Sequence, residues 1–134
     1  MSNISKIRNE LHLTQRQLAE AAGVSSRTLA RWEAEAATPR PKHLLALARA
    51  LDCTVETIEP VTDLTTARRA AGLTQRDFAA RANIPLGSLT AIETGRVLLP
   101  DASLWALILG RTTAEINELA SQAIDRRYQL LKRA

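Results

Sequence analysis

The sequence has few of the residues that form disulfides, metal sites or catalytic centres. Only one of its 134 residues is a cysteine and two are histidines. An internal disulfide is therefore excluded, and the lone Cys53 favours a reducing compartment. The sequence also has no glycine-rich phosphate loop and no nucleophile with a base at a usable spacing. We therefore expect no enzyme, no cofactor and no metal site.

Aromatic residues and long apolar runs are also scarce. Aromatic side chains make up only 3% of a chain that is 46% hydrophobic and 24% charged, a composition typical of a globular protein. The core must then consist of Leu, Ile, Val and Ala, as in small helical bundles, so the expected fold class is all-α. No apolar run is long enough for a signal peptide or a membrane span. We expect a cytoplasmic protein without membrane contacts, nucleoid-associated if it binds DNA.

The balance of charge is mildly basic. Lys and Arg number 18 against 14 Asp and Glu, which gives a net charge of +4. Such a balance favours polyanionic partners such as nucleic acid, although many proteins without such partners share it.

Residues 13–33, LTQRQLAEAAGVSSRTLARWE, predict two short helices joined by a tight turn. Thr14 suits the N-cap of the first helix, and Gln17, three residues later, can complete a capping box. Gly23 can adopt the positive φ that a helix C-terminus favours. Ser25 can then cap a second helix over residues 26–33. The pattern is that of a helix-turn-helix.

The second of these helices has one apolar face and one polar face. Leu29 and Trp32 point the same way, whereas Ser26, Arg27 and Arg31 fall on the opposite side. Two arginines one turn apart repel each other, a cost that is explained if this face meets an anionic partner. Such a helix fits the major groove of B-DNA, where Arg can pair with guanine. A surface helix with solvated arginines is the alternative.

From residue 5 to about residue 58, the sequence resembles the Cro and lambda-repressor type of helix-turn-helix domain, the XRE family. The residues that carry this resemblance are Leu13, Thr14, Gln15, Leu18, Ala19, Gly23, Val24, Ser25, Leu29, Trp32, Glu33, Pro39 and the helical run 44–51. One position departs from the family pattern. The family usually has Gly two residues after its Glu, and here that position is Glu35.

The resemblance implies roles for individual residues. Ser26, Arg27 and Arg31 would read DNA bases, and Arg8 would form a partly buried ion pair with Glu33, which fixes orientation more than it adds stability. A fourth helix is expected over residues 42–51, and its start is basic. The phosphate contacts expected from the resemblance and from this basic start are Gln15, Arg16, Ser25, Thr28, Arg40, Lys42 and His43.

The chain then repeats itself with an offset of 60 residues. Residues 13–16 return unchanged as Leu73, Thr74, Gln75 and Arg76, and the Arg8 and Glu33 pair returns as Arg68 and Glu93. The same offset places Leu44, Ala46 and Leu47 at Leu104, Ala106 and Leu107, and the family's Gly reappears as Gly95. We expect two tandem bundles of about five helices each.

The second copy has lost the reading residues of the first. The positions of Ser26, Arg27 and Arg31 hold Leu86, Gly87 and Ala91, whose side chains cannot hydrogen-bond to base edges. The remaining, weaker candidates for DNA contact are Gln75, Arg76, Ser88, Thr90 and Arg96.

The expected domains are residues 1–60, which read DNA, residues 61–112, a degenerate second copy, and residues 113–134, a C-terminal helix. Thr113 can cap this last helix, whose apolar stripe consists of Ile116, Leu119, Ala120, Ala123, Ile124, Leu130 and Leu131. A helix of this kind must dock on its own bundle or on another chain, and we favour a dimer contact.

Two functions follow from these patterns. We expect a sequence-specific transcriptional regulator, a repressor, that binds double-stranded DNA as a homodimer on a palindrome or with both copies on adjacent half-sites. The alternative is a protein-binding module, such as an antitoxin or anti-activator, that holds a protein partner with the second copy and the C-terminal helix. An exposed apolar patch at Leu86, Val97, Leu98 and Leu99 would favour this alternative.

Overall fold

The computed structural model describes residues 2–133, which form helices connected by short loops and contain no strand. The chain divides into two compact units between Pro60 and Val61. Each unit contains a helix-turn-helix, and a long helix ends the second. The predicted all-α fold class is confirmed. No helix in the described part of the chain is both long and apolar enough to cross a membrane.

The first unit consists of five helices. These are α1 (Asn3–Glu10), α2 (Gln15–Ala22), α3 (Ser26–Glu33), α4 (Pro41–Ala50) and α5 (Val55–Ile58). Its core is aliphatic apart from Trp32, and the side chains with almost no exposure are Leu18, Leu29, Leu44 and Leu47. Helix α2 packs on both α3 and α4, which fixes the angle at which α3 is presented.

The turn between α2 and α3 forms as the sequence predicts. The Thr14 side chain accepts a hydrogen bond from the Gln17 amide, and the Gln17 side chain accepts one from the Thr14 amide. Gly23 ends α2 with φ of 73°, and the Ser25 side chain caps α3 by accepting from the Thr28 amide. The predicted capping box and the predicted bounds of α3 are both confirmed.

The second unit repeats this arrangement with different residues. Its helices are α6 (Leu64–Ala70), α7 (Gln75–Ala82), α8 (Leu86–Glu93), α9 (Ala102–Leu109) and α10 (Thr113–Arg133). Asn83 ends α7 with φ of 55°, where the first copy has Gly23. The core is more aromatic, since the rings of Phe78 and Trp105 lie 4.4 Å apart between centroids.

Two predicted helix ends were wrong by a small margin. The spacing of Ile4, Ile7 and Leu11 predicts a first helix over residues 4–11 with all three on its buried face. Helix α1 instead ends at Glu10, and Leu11 is 47% exposed. The C-terminal helix is capped by Thr112 rather than Thr113, because the Thr112 hydroxyl accepts the hydrogen bond from the Glu115 amide.

The repeat offset of 60 residues does not hold in the fourth helix of the second unit. The N-caps of α4 and α9 are Arg40 and Asp101, one residue beyond that offset. Leu107, which the sequence paired with the buried Leu47, is 79% exposed, while its neighbour Ile108 packs on the core. One extra residue in the loop before α9 rotates the helix by one position, so the equivalence drawn from the sequence was wrong there.

The C-terminal helix docks on its own unit. Helix α10 contacts α6, α8 and α9, and its Ile116, Ala120 and Ala123 are buried. Its last two turns are different, because Leu130 and Leu131 are 66% and 62% exposed. Its own unit therefore covers the first half of the apolar stripe and leaves the second half exposed.

Candidate nucleic-acid interface

Helix α3 presents the three predicted reading residues to solvent. Ser26, Arg27 and Arg31 are exposed, while Leu29 and Trp32 on the opposite face are buried at 0% and 6% exposure. Within residues 2–133, neither arginine takes part in a salt bridge. Both guanidinium groups therefore keep their donors available for an acceptor outside this chain.

The end of α3 is held by a bidentate ion pair. Arg8 donates from Nε to Glu33 Oε2 at 2.8 Å and from a terminal nitrogen to Glu33 Oε1 at 2.9 Å. A further Arg8 nitrogen donates to the Leu13 carbonyl at 2.8 Å, which ties α1 to the start of α2. The hydrogen bond to Glu33 raises the pKa of Arg8 above its ordinary value. The pair thus locks α1, α2 and α3 into one orientation.

Gln15 also bonds to Glu33, a contact that the sequence does not predict. Its Nε2 donates to Glu33 Oε1 at 3.2 Å. Gln75 makes the equivalent contact with Glu93 at 2.9 Å. The sequence signal for both contacts is a Gln and a Glu 18 positions apart, a spacing that recurs in the second copy. An amide nitrogen has two hydrogens, so Gln15 can keep this bond and still donate to a phosphate. Arg16, beside it, is exposed.

The two hydroxyl groups at the start of α3 have unequal freedom. The Ser25 hydroxyl donates to Thr28 Oγ1 at 2.9 Å and accepts from the Thr28 amide at 3.1 Å. Its hydrogen is therefore used within the cap, while the Thr28 hydroxyl can still donate. Of the two predicted phosphate contacts, Thr28 is the one with a donor to offer.

The basic residues at the start of α4 also divide into two kinds. Arg40, the N-cap residue, and Lys42 are exposed, and the buried Pro41 follows Arg40 at the first helical position. His43 is half-buried, and its ring lies 5.4 Å from that of Trp32 between centroids. His43 therefore packs behind the reading helix, whereas Arg40 and Lys42 carry charges that can meet a DNA backbone.

The second copy keeps the scaffold but lacks the residues predicted to read DNA. Arg68 donates to Glu93 at 2.7 Å and to the Leu73 carbonyl at 2.8 Å, so the ion pair is fully retained. Helix α8, however, begins after Pro85, which offers no side-chain cap, and its first residue, Leu86, is 45% exposed. The three positions that hold Ser26, Arg27 and Arg31 in α3 carry no polar side chain in α8.

The weaker DNA candidates of the second copy also separate into two groups. Arg76, Ser88 and Arg96 are exposed. The Thr90 hydroxyl donates to the Leu86 carbonyl of its own helix at 3.1 Å, and Gln75 is half-buried against Glu93. What remains is two cations and one hydroxyl, which can contact phosphates.

The titratable residues outside the motif bear on metal binding and on nucleophilic chemistry. Within residues 2–133, no three His, Cys, Asp or Glu side chains are grouped so as to hold a metal ion. Burial, with a smaller contribution from the Asp52 carboxylate, raises the pKa of the Cys53 thiol, which disfavours the nucleophilic thiolate.

Comparison with known protein families identifies the repeat. The helix-turn-helix family model HTH_3 matches the chain twice, at residues 4–58 and 64–116. Comparisons with curated proteins and with solved structures gave no significant match. The two matched segments cover most of the chain and correspond to the two structural repeats. The chain therefore belongs to the XRE-type helix-turn-helix family, as a DNA-binding regulator with two tandem copies of the domain.

Proposed function

We propose that this protein is a sequence-specific transcriptional repressor that reads the major groove with α3. The observation that carries the proposal is the exposed set of Ser26, Arg27 and Arg31 on a helix whose other face is locked in the core. Arg27 and Arg31 offer the bidentate donors that recognise guanine. Repression follows from occupying the operator and needs no catalysis.

The proposed roles of the surrounding residues follow from their exposure or, for the half-buried Thr28, from its available hydroxyl donor. Five residues would hold phosphates on either side of the groove and set the register of α3, namely Gln15, Arg16, Thr28, Arg40 and Lys42. Because one small domain makes a limited interface, useful affinity would come from a homodimer on a palindromic site. In this proposal residues 1–60 read DNA, residues 61–112 serve as a retained scaffold, and residues 113–134 support assembly.

Selection of bound sites from a random DNA pool tests the proposal. The wild type should enrich a palindromic motif. Arg27→Ala and Arg31→Ala should each reduce discrimination at one base pair by about 1 to 3 kcal/mol, whereas Gln15→Ala should weaken binding to all sequences alike. An unchanged motif in both arginine variants would show that α3 is not the reading element. Two unlike half-sites would show that both copies read.

A second function is favoured by the surface of the second unit. Leu86, Val97 and Leu98 are 45%, 47% and 78% exposed, although Leu99 packs on the core. Exposed aliphatic side chains at the start of α8 and in the loop after it suit a protein partner better than DNA. If the selection enriches no motif and binding depends only on salt, a protein-binding role such as that of an antitoxin or anti-activator takes first place.

A further inference from the structure

The two units differ most in the length of their fifth helix. Helices α5 and α10 begin in the same way, each capped by a threonine, Thr54 or Thr112, and each buries an isoleucine at the end of its first turn, Ile58 or Ile116. Helix α5 then stops, whereas α10 continues to Arg133. The second unit therefore shows where a longer helix would lie on this scaffold.

The continuation of α10 lies across a specific set of residues in the second unit. Gly95 meets the backbone of Ala123 so closely that a Cβ at Gly95 would overlap the Ala123 carbonyl. The Arg126 guanidinium donates to the Thr62 carbonyl at 3.4 Å, and Asp63 lines the same crevice. The loop after α8 and the start of α6 thus form a seat for a helix.

In the first unit the equivalent seat is an open groove. It has a volume of about 450 Å³ and is lined by Ser2, Asn3, Trp32, Glu35, Ile58 and Glu59, among others. Ser2, Asn3 and Glu35 occupy the repeat positions of Thr62, Asp63 and Gly95, which contact or border α10 in the second unit. The groove is therefore the helix seat of the first unit, and none of the helices described for that unit continues into it.

The chemistry of this groove selects its occupant. Glu35 replaces Gly95, so a helix backbone cannot approach as closely as Ala123 does, and an exposed carboxylate stands where the second unit has none. Trp32, Leu44 and Ile58 supply an apolar floor. A suitable occupant combines large apolar side chains with positive charge.

The last two turns of α10 have that composition. Tyr128, Leu130 and Leu131 are between 61% and 66% exposed, and Lys132 and Arg133 follow them. Leu130 lies on the face that carries Ala123, seven residues earlier, so the docking stripe continues beyond the part that its own unit buries. Glu35 gives the groove an exposed carboxylate and the helix end is basic, which gives the two surfaces complementary charge.

We propose that the groove of the first unit binds the C-terminal end of α10, residues 128–133, of a second copy of this chain. Exchanged in both directions, this contact forms the homodimer. The inference rests on the proposed function for its homodimer and adds the surface that makes it, with Glu35 as the residue that selects a basic helix end.

Sedimentation equilibrium with charge reversal tests this contact. Glu35→Lys, and separately Lys132→Glu with Arg133→Glu, should each weaken dimerisation by about tenfold or more, equivalent to 1.4 kcal/mol. The variant that combines all three changes should recover most of the loss. Glu10→Lys changes the net charge equally at an exposed position outside the groove and is the matched control. Equal weakening by Glu10→Lys, or no recovery in the combined variant, would overturn the proposal.

A shortened chain gives an independent check. Ending the chain at Arg127 leaves Ile116, Ala120 and Ala123 in place, so α10 should stay docked, while the helix end that reaches the partner is lost. This variant should sediment as a monomer and lose only the helical signal of the removed residues. A shortened chain that remains a dimer, or a wild type that stays monomeric, would contradict the inference.

DNA measurements separate this inference from the proposed reading function. Base preference at a single half-site should persist in the Glu35→Lys and shortened variants, because Arg27 and Arg31 are unchanged. Persistent preference together with an unaffected dimer would refute only the groove contact. Loss of preference in Arg27→Ala without any change in dimerisation would support the reading function alone.

Discussion

Single residues decide how each copy makes the turn after the second helix of its motif. Glu35 adopts φ of 59° and Gly95 adopts φ of 75°, and their amides donate to the equivalent carbonyls of Trp32 and Ile92 at 3.0 and 3.1 Å. The turn is thus the same in both copies. For a non-glycine residue this conformation costs about 1 to 2 kcal/mol, a strain that the first copy carries at Glu35.

Gly95→Ala should destabilise the second unit by clearly more than the backbone strain alone. Besides the strain of about 1 to 2 kcal/mol, the new methyl group would overlap the Ala123 carbonyl and push α10 from its seat. Gly110→Ala is the matched control, since Gly110 has φ of 67° and open space around its Cβ position. Denaturant unfolding of both variants checks this, and equal losses would mean that α10 does not press on Gly95.

Arg68→Met should destabilise the second unit by about 3 to 5 kcal/mol, because it leaves the Glu93 carboxylate buried without its cation. The side chains of Arg68 and Glu93 are only 7% and 3% exposed, so solvent offers little compensation. Adding Glu93→Met should restore most of the loss. Thermal unfolding followed by circular dichroism measures both, and a double variant no more stable than the single one would refute this account.

At the scale of elements, the first helix of each helix-turn-helix begins with a capping box, and the two boxes use different side chains. Thr14 pairs with Gln17 in α2, and Thr74 pairs with Asp77 in α7. The hydrogen bonds from the Thr74 side chain and backbone, with a smaller effect of Arg81, lower the pKa of Asp77 below its ordinary value of 3.8. Of these two caps, only that of α7 contains a titratable side chain, so only its stability depends on pH.

Asp77→Gln should reduce the acid sensitivity of the second unit. Because the folded chain lowers the pKa of Asp77, its ionised cap stabilises the fold above pH 3.8, and this contribution disappears as the pH falls through the lower folded value. The Gln variant copies the natural cap of α2, which does not titrate. Unfolding free energies between pH 7 and pH 2 measure the difference, and parallel curves for both proteins would disprove it.

At the scale of the whole molecule, the same fold is used with two different surfaces. The first unit exposes Arg27, Arg31, Arg40 and Lys42 around its motif. The second exposes one large aliphatic side chain on the equivalent helix, Leu86, and two in the loop after that helix. DNA affinity and its salt dependence should therefore arise mostly from the first unit, because each neutralised phosphate releases counterions.

The salt dependence of DNA binding should show this division. Arg40→Ala with Lys42→Ala should reduce the slope of log K against log salt by about 2, one unit per lost phosphate contact. Arg76→Ala with Arg96→Ala removes the same charge from the second unit and should leave the slope unchanged. Fluorescence anisotropy titrations across a salt series give both slopes. Equal reductions would show that the second copy also grips the backbone.

Much of the fold follows from short-range sequence signals. Thr14, Gln17, Gly23 and Ser25 set the ends of α2 and α3 through bonds within four residues, so the motif could be predicted without knowledge of the packing. The exposure of Arg27 and Arg31 followed from helical periodicity in the same way. Signals of this kind depend on neighbours along the chain, which the sequence displays directly.

Contacts between distant residues could not be predicted in this way. The Gln15 bond to Glu33, the ring contact of His43 with Trp32 and the rotation of α9 by one residue all depend on how helices meet. One inserted residue left the apolar pattern of α9 almost unchanged in the sequence yet turned Leu107 to the solvent. Periodicity identifies an apolar face but does not determine which residue of it meets the core.

The sequence alone determined the fold class, the repeat, the two motifs and the residues that one of them exposes, because caps, turns and helical periodicity act locally. Only the tertiary structure decided where the C-terminal helix lies. Its apolar stripe could pack on its own bundle or on another chain, and the close approach at Gly95 is available only after α6, α8 and α9 have assembled the seat. The groove beside Glu35, which is the equivalent seat in the first unit, also forms only when the helices of that unit have packed together.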